Sequence, residues 1–120
     1  MTSETRRTIY PLINCADPAA AMEFLEKAFG FTTHSVHKDD TGKVVHAEMV
    51  YDTGMFMFGT GKPGTTAVYV AVDDPDAHHD RAKAAGAEIF RELADQDYGS
   101  RDYAARDLDG NEWYFGTYRP

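Results

Sequence analysis

The chain has 120 residues, of which 42% are apolar and 27% charged, a composition that predicts one globular domain and excludes a disordered or fibrous chain. Its formal net charge of -8 repels phosphate and anionic lipid, so we expect no nucleic-acid partner and no membrane partner. With one cysteine, Cys15, no signal segment and no long apolar run, we expect a cytoplasmic protein with a reduced thiol.

The first half of the chain predicts a strand, a helix and three more strands. Alternating residues 8–14 favour a strand. Asp17-Pro18 is a typical helix start, because the aspartate can cap the first turn and proline suits the first helical position. An apolar stripe at helical spacing follows and ends at Gly30, which suits a C-terminal cap. Further strands are predicted at residues 31–37, 44–51 and 55–58.

The second half predicts the same order of elements. Asp74-Pro75 opens a second helix, residues 75–85, which Gly86 ends. The polar stretch 93–99 predicts a loop. Strands are predicted at residues 67–72, 88–91, 101–106 and 112–117, the last two as a hairpin around an Asp-Gly-Asn turn.

Two pairs of markers recur at one spacing, which indicates an internal repeat. Asp17-Pro18 returns 57 positions later, and so does the Phe-Gly-Thr that begins at Phe58. The sequence therefore predicts one domain, residues 1–120, with a first module at about 8–60, a linker at 61–65 and a second module at about 66–118. Each module has the order βαβββ, so the predicted fold class is α+β with one helix per module.

Side-chain alternation divides the strands into two faces. The bulky apolar set should pack under the helices; it comprises Phe56, Phe58, Val68, Val70, Val72, Trp113 and Phe115. The opposite set mixes aromatic, thioether and polar groups; it comprises Tyr10, Leu12, Asn14, Met55, Met57, Ala67, Tyr69, Ala71, Glu112 and Tyr114. The mixed set predicts either the lining of a ligand cavity or a face buried against a second copy of the chain.

The doubled βαβββ order, the Asp-Pro helix starts and the closing segment DLDGNEWYF at 107–115 resemble the vicinal oxygen chelate superfamily. This family includes glyoxalases, extradiol dioxygenases, fosfomycin-modifying enzymes and bleomycin resistance proteins. The resemblance covers essentially the whole chain. It implies curved mixed sheets around a cavity and a homodimer, and it leaves open whether the cavity lies within one subunit or between two.

The resemblance also locates the four strand positions at which metal-dependent relatives carry His or Glu ligands. Here those positions match Tyr10, Met57, Ala67 and Tyr114. Alanine has no donor atom, a thioether binds hard divalent ions weakly, and tyrosine ionises only near pH ~10. We therefore expect no metal and no other cofactor at the usual site.

The remaining polar candidates are histidines and carboxylates. His46 and Glu48 share a strand face, so they could be an acid–base pair or two displaced metal ligands, or simply a solvated strand face. The neighbours His78 and His79 point in different directions on a helix, so we do not expect them to share an ion. We expect the first at the helix–sheet boundary and the second exposed. Cys15 is expected to be a small buried residue.

These observations favour a metal-independent small-molecule-binding protein that captures an aromatic or cationic compound, as bleomycin resistance proteins do. The predicted ligand-binding residues are Tyr10, His46, Glu48, Met55, Met57, Tyr69, Tyr103, Glu112, Trp113 and Tyr114. Two alternatives stay open. One is a metal-dependent lyase, isomerase or dioxygenase centred on His46 and Glu48, and the other is an interaction module whose mixed face is only an oligomer contact.

Overall fold

The computed structural model describes residues 8–59 and 61–120, and each half has the predicted βαβββ order. The first module consists of β1 (Leu12–Asn14), α1 (Pro18–Phe29), β2 (Thr32–Lys38), β3 (Val44–Tyr51) and β4 (Gly54–Gly59). The second consists of β5 (Ala67–Ala71), α2 (Pro75–Ala84), β6 (Glu88–Asp95), β7 (Arg101–Arg106) and β8 (Glu112–Gly116). The α+β fold class and the two-module organisation are confirmed.

Neither helix in the described part of the chain is long and apolar enough to span a membrane.

Each module forms its own mixed sheet of four strands. The strand orders are β1-β4-β3-β2 and β5-β8-β7-β6, so the two sheets have the same topology. In each, the first strand of the module runs parallel to the last, and the other pairs are antiparallel. The connection through the helix makes this parallel pairing possible, because parallel strands need a long crossover. Strands β1 and β5 are edge strands, and both sheets are open.

The helices begin where the sequence predicts. The Asp17 carboxylate accepts hydrogen bonds from the amides of Ala19 and Ala20, which otherwise have no partner within α1. Gly30 ends that helix with φ at 78°, a left-handed conformation that costs glycine little. Asp74 caps α2 in the same way through the amide of Ala77.

Two predicted boundaries are wrong. Strand β1 begins at Leu12 and not at residue 8, because the register with β4 starts with Leu12 opposite Met57. Strand β6 continues to Asp95, into the first part of the stretch 93–99 that was predicted as a loop, because backbone pairing with β7 continues to Asp95 opposite Arg101. Register shifts within β6 break its side-chain alternation, which is the sequence signal for a strand.

An aromatic cluster joins the two modules into one core. The Phe29 ring at the end of α1 lies 4.8 Å from the Phe115 ring on β8, and Phe31 lies 5.2 Å from Trp113. Phe56 on β4 also contacts Trp113, at 5.3 Å between ring centroids. All five rings are buried. Side chains of both modules therefore share one core.

Hydrogen bonds across the junction add to this packing. The buried Asn111 side chain donates to the Asn14 carbonyl at 2.8 Å. The Arg81 guanidinium on α2 donates to the carbonyls of Glu26 and Lys27 near the end of α1. A cation at that position also interacts favourably with the helix dipole of α1.

Candidate functional site

Alternation along β3 gives its two faces different chemistry. Ala47 and Met49 are fully buried in the core, whereas His46 and Glu48 lie on the opposite face and are partly exposed. Met57 of β4 pairs with Glu48 and with Leu12 of β1, so these three residues form a row across three strands. We call the side of each sheet that faces away from the core its open face.

A hydrogen-bonded group occupies the open face of the first sheet. The Glu48 carboxylate accepts a hydrogen bond from the Ser35 hydroxyl at 2.9 Å through Oε1, and Oε2 lies 3.2 Å from His46 Nε2. The hydrogen bonds from Ser35 and then from His46 lower the pKa of Glu48. At neutral pH this residue is therefore an anion that holds the His46 ring in a defined orientation.

The open face of the second sheet carries an aromatic pair surrounded by charges. The Tyr114 hydroxyl donates to Glu112 at 2.9 Å, and the Phe90 ring packs edge-on against Tyr114 at 5.7 Å. The Arg106 guanidinium lies 4.1 Å from the centre of the Phe90 ring and pairs with Glu88 at 2.7 Å. Glu112 therefore already has a hydrogen-bond donor, and Arg106 is 3.8 Å away.

A cavity of about 360 Å³ lies between the two modules, and we call it the junction cavity. Its inner wall is the aromatic cluster of Phe31, Phe56 and Trp113, and Val68 and Val70 of β5 also line it. This volume lies within the usual range for small-molecule sites, and the predominance of aromatic and aliphatic walls is typical of them.

Polar groups stand at the rim of the junction cavity. They are Tyr51, Asp52, Thr53, Tyr69 and Arg119. Asp52 is exposed and has a positive φ of 53° in the turn between β3 and β4. Burial, followed by the nearby carboxylates of Asp73 and Asp52, raises the pKa of Tyr51, so its hydroxyl stays protonated. The Arg119 guanidinium pairs with Asp73 at 3.1 Å, so part of its positive charge is already balanced.

A comparison with models of protein families identifies the family of this chain. The model of the Glyoxalase/Bleomycin resistance protein/Dioxygenase superfamily matches residues 8–115. The chain belongs to this superfamily. Among solved structures it is similar to TioX from Micromonospora sp. ML1, with 33% identity, a TM-score of 0.78, and coverage of 92% of this chain and 94% of the other.

Two further matches, one to a solved structure and one to a protein sequence, extend along nearly the whole chain. A glyoxalase-related enzyme from Clostridium phytofermentans has 20% identity and a TM-score of 0.76, over 97% of this chain and 98% of that one. An uncharacterized protein of Mycobacterium bovis is 29% identical over 131 residues, which span 97% of this chain and 86% of the relative. The solved structure shares the fold over 97% of this chain.

Three of the four positions that the resemblance matches to metal ligands carry side chains that suit a divalent ion poorly. Ala67 offers no donor atom, and the thioether of Met57 is a soft ligand. Tyr114 donates its hydroxyl proton to Glu112, and this hydrogen bond raises the pKa of Tyr114, which opposes the tyrosinate form that a metal would need. Within residues 8–59 and 61–120, no three His, Cys, Asp or Glu side chains are placed to hold one ion.

Eight of the ten predicted ligand-binding residues lie in three places. Met55, Tyr69 and Trp113 line the junction cavity. His46, Glu48 and Met57 lie on the open face of the first sheet, and Glu112 and Tyr114 on that of the second. Tyr10 precedes β1 and is 39% exposed, between the cavity-lining residues Ile9 and Pro11.

The prediction that Tyr103 belongs to the ligand wall does not agree with its position. Tyr103 is fully buried on the core face of β7, opposite Phe115, and its hydroxyl lies 2.6 Å from His78 Nδ1. His78 packs between helix and sheet as expected, with Nε2 2.8 Å from the Phe29 carbonyl. The expectation of an exposed His79 is wrong, because its ring is 8% exposed and pairs with Asp80 and Glu92.

Cys15 is buried, as expected, and its thiol has low reactivity. Burial, with smaller contributions from the carboxylates of Asp109, Asp107 and Asp17, raises the pKa of its thiol to about 11. Because the thiolate is the reactive form, a thiol with this pKa is a poor nucleophile at neutral pH.

Sequence reasoning missed the rim residues Asp52 and Arg119 and the inner-wall residue Phe31. Asp52 falls between two predicted strands, and Phe31 is predicted only as the start of a strand. Arg119 follows the last strand and carries no pattern at all. These three residues line one cavity because the two modules pack against each other. No local spacing in the sequence encodes that packing.

Proposed function

We propose that this protein binds a flat aromatic or cationic small molecule in the junction cavity, without a metal, and acts by stoichiometric capture. The observation that carries this proposal is the junction cavity itself, with an inner wall of Phe31, Phe56 and Trp113. Aromatic walls favour a planar ligand, because stacked and edge-on ring contacts add to the free energy gained from apolar burial. The superfamily to which the chain belongs includes bleomycin resistance proteins by name.

Charge supports the preference for a cation. The formal net charge of the chain is -8, which raises the local concentration of cations near its surface. At the rim, the Asp52 carboxylate is exposed, whereas the Arg119 guanidinium is paired with Asp73. A ligand with an aromatic body and an amino group would place its rings against Trp113 and its charge at Asp52.

The chain contains its own reporter for this test, because Trp113 is its only tryptophan. Binding in the junction cavity should change the emission of Trp113 in a saturable way when planar cationic antibiotics are titrated, and calorimetry should give about one ligand per chain. Val68→Phe should weaken binding by filling part of the cavity. Asp52→Asn should weaken the binding of cations more than that of neutral aromatic compounds.

Tyr98→Phe is the matched control, since Tyr98 does not line the cavity and is 64% exposed. It should leave the affinity unchanged. If no compound of the panel produces heat or a change in emission, or if Val68→Phe binds as well as the wild type, capture in this cavity is wrong.

We also propose that two copies of the chain associate through the edge strands β1 and β5. Exposed apolar side chains cluster there, with Ile9 82%, Leu12 55% and Tyr69 39% exposed. Unpaired strand edges with such side chains favour pairing with another strand. Sedimentation equilibrium should give a dimer mass, and Leu12→Lys should shift the equilibrium toward monomer. A wild-type monomer at high concentration would contradict this arrangement.

A further inference from the structure

The Tyr51 hydroxyl is a hydrogen-bond donor at the rim of the junction cavity. Its ring is fixed at the end of β3, because it packs edge-on against Phe31 at 5.5 Å and against His78 at 6.1 Å between ring centroids. No residue among 8–59 and 61–120 forms a hydrogen bond with this hydroxyl. Every buried side-chain polar atom in those ranges has a partner, so the hydroxyl is accessible from the cavity that Tyr51 lines.

Asp52 places a carboxylate directly beside this donor. Tyr51 pairs with Gly54 across β3 and β4, so Asp52 and Thr53 form a two-residue turn. The φ of 53° at Asp52 is typical of such turns, and aspartate tolerates it. No ion pair within the described part of the chain includes Asp52. The rim therefore presents a donor and an anion on consecutive residues.

The charges around Tyr51 keep this donor active and supply a second one. Burial, followed by the carboxylates of Asp73 and Asp52, raises the pKa of Tyr51, so the hydroxyl keeps its proton. The Arg119 guanidinium also lines the cavity. It is 56% exposed and its partner Asp73 is 96% exposed. Exposed ion pairs of this kind add little stability, so an oxygen atom of a ligand can compete for the guanidinium.

These groups determine which ligand chemistry fits the rim. A carboxylate only accepts hydrogen bonds, so Asp52 selects a donor, and a cationic donor binds it more strongly than a neutral one. Tyr51 selects an acceptor next to that cation. An ammonium and a carbonyl group attached to one carbon atom meet both requirements. A free carboxylate in place of the carbonyl would be repelled by Asp52 and by a chain with a formal net charge of -8.

We propose that the junction cavity recognises an aromatic α-amino amide, which is the chemical group at the amino end of a peptide that begins with an aromatic residue. The aromatic ring lies against Trp113, the ammonium pairs with Asp52, and the carbonyl oxygen accepts a hydrogen bond from Tyr51. This inference rests on the proposed function, because it names the class of compound that the same cavity captures.

Phenylalaninamide is the probe, because it carries all three groups and does not emit where Trp113 does. It should bind saturably by calorimetry and by Trp113 emission. Phenethylamine lacks the carbonyl and should bind about 5- to 10-fold more weakly, which is the effect of one net hydrogen bond. N-Acetylphenylalaninamide lacks the charge and should bind at least about 10-fold more weakly, since hydrogen bonds to charged groups are stronger. Phenylalanine, with its carboxylate, should also bind more weakly than the amide.

Variants assign these differences to single side chains. Tyr51→Phe keeps the ring and removes the hydroxyl, so it should weaken phenylalaninamide binding by about 5- to 10-fold and leave phenethylamine binding unchanged. Asp52→Asn, in an exposed turn, should reduce the advantage of phenylalaninamide over its N-acetyl derivative. Tyr98→Phe is the matched control, because it removes a hydroxyl that bonds to Asp102 outside the cavity. It should leave the binding of every compound unchanged.

The outcomes separate this inference from the proposed function. The α-amino amide class is overturned if wild-type protein binds phenethylamine as tightly as phenylalaninamide, or if Tyr51→Phe weakens the binding of both equally. If planar cationic antibiotics bind while either of these results is found, capture in the cavity stands and only the ligand class is wrong. If neither the antibiotics nor phenylalaninamide bind, both proposals are wrong.

Discussion

Removal of the His78 side chain should be among the most destabilising single changes in this protein. The imidazole connects three elements: Nε2 donates to the Phe29 carbonyl at the end of α1, and Nδ1 accepts from the Tyr103 hydroxyl on β7. Its ring also packs 4.3 Å from the Phe115 ring. His78→Ala leaves two buried polar groups without a partner and opens a cavity, so we expect a loss of roughly 3–5 kcal/mol.

A double-mutant cycle isolates the hydrogen bond from the packing. Tyr103→Phe removes the hydroxyl alone and should cost about 1–1.5 kcal/mol. The double variant should be less destabilised than the sum of the singles by about 1 kcal/mol, because each change removes the same contact. Urea unfolding at constant pH, followed by circular dichroism, gives all four values. Additivity within about 0.3 kcal/mol would refute the coupling between His78 and Tyr103.

The buried His78 should also make the stability of the protein depend on pH. Burial is the main cause that lowers the pKa of His78 in the folded state below its unfolded value of 6.5. Neutral His78 is therefore fully stabilising above that pH, and its contribution is lost as the pH falls, because the unfolded chain then binds a proton that the folded chain resists. The stability gap between wild type and His78→Ala should shrink between about pH 7.5 and pH 5. A constant gap would contradict this.

Three further experiments test individual parts of the fold. Asp17→Ala removes the cap of α1 and should cost about 1 kcal/mol in urea unfolding, whereas Asp17→Asn should cost much less. Cys15 should resist alkylation by iodoacetamide in the native state and react once urea is added, because the pKa of its thiol is raised to about 11; rapid native labelling would contradict its burial. Gly64→Ala should destabilise the protein by more than about 1 kcal/mol, since φ is 81° and the added Cβ would lie 2.9 Å from the Asp109 carbonyl oxygen.

Much of the fold could be predicted because its signals are local. A carboxylate just before a proline is a signal for a helix start, and Asp17 and Asp74 both have this position. A glycine that can adopt a positive φ is a signal for a helix end, as at Gly30. Neither signal needs knowledge of the tertiary structure. Repetition of the same signals in the second half made the two-module organisation visible. Strand β6 was predicted too short because its register shifts remove the alternation on which such a prediction depends.

The candidate sites were less accessible to sequence reasoning. Alternation correctly grouped His46 with Glu48 on one face. The partner of Glu48 is Ser35, thirteen residues earlier, and only the register of β2 against β3 brings them together. Tyr103 was misplaced because an aromatic residue near a polar loop gives no indication of the buried histidine with which it pairs.

The sequence by itself determined the order of elements, the helix ends and the two faces of most strands. All of these depend on residue type and short spacing. Tertiary structure alone decided that Asp52 and Arg119 line the same cavity, and that a contact between Phe29 and His78 joins the modules. These contacts connect residues that are distant in the chain, and their geometry follows from how the two sheets and helices pack against one another.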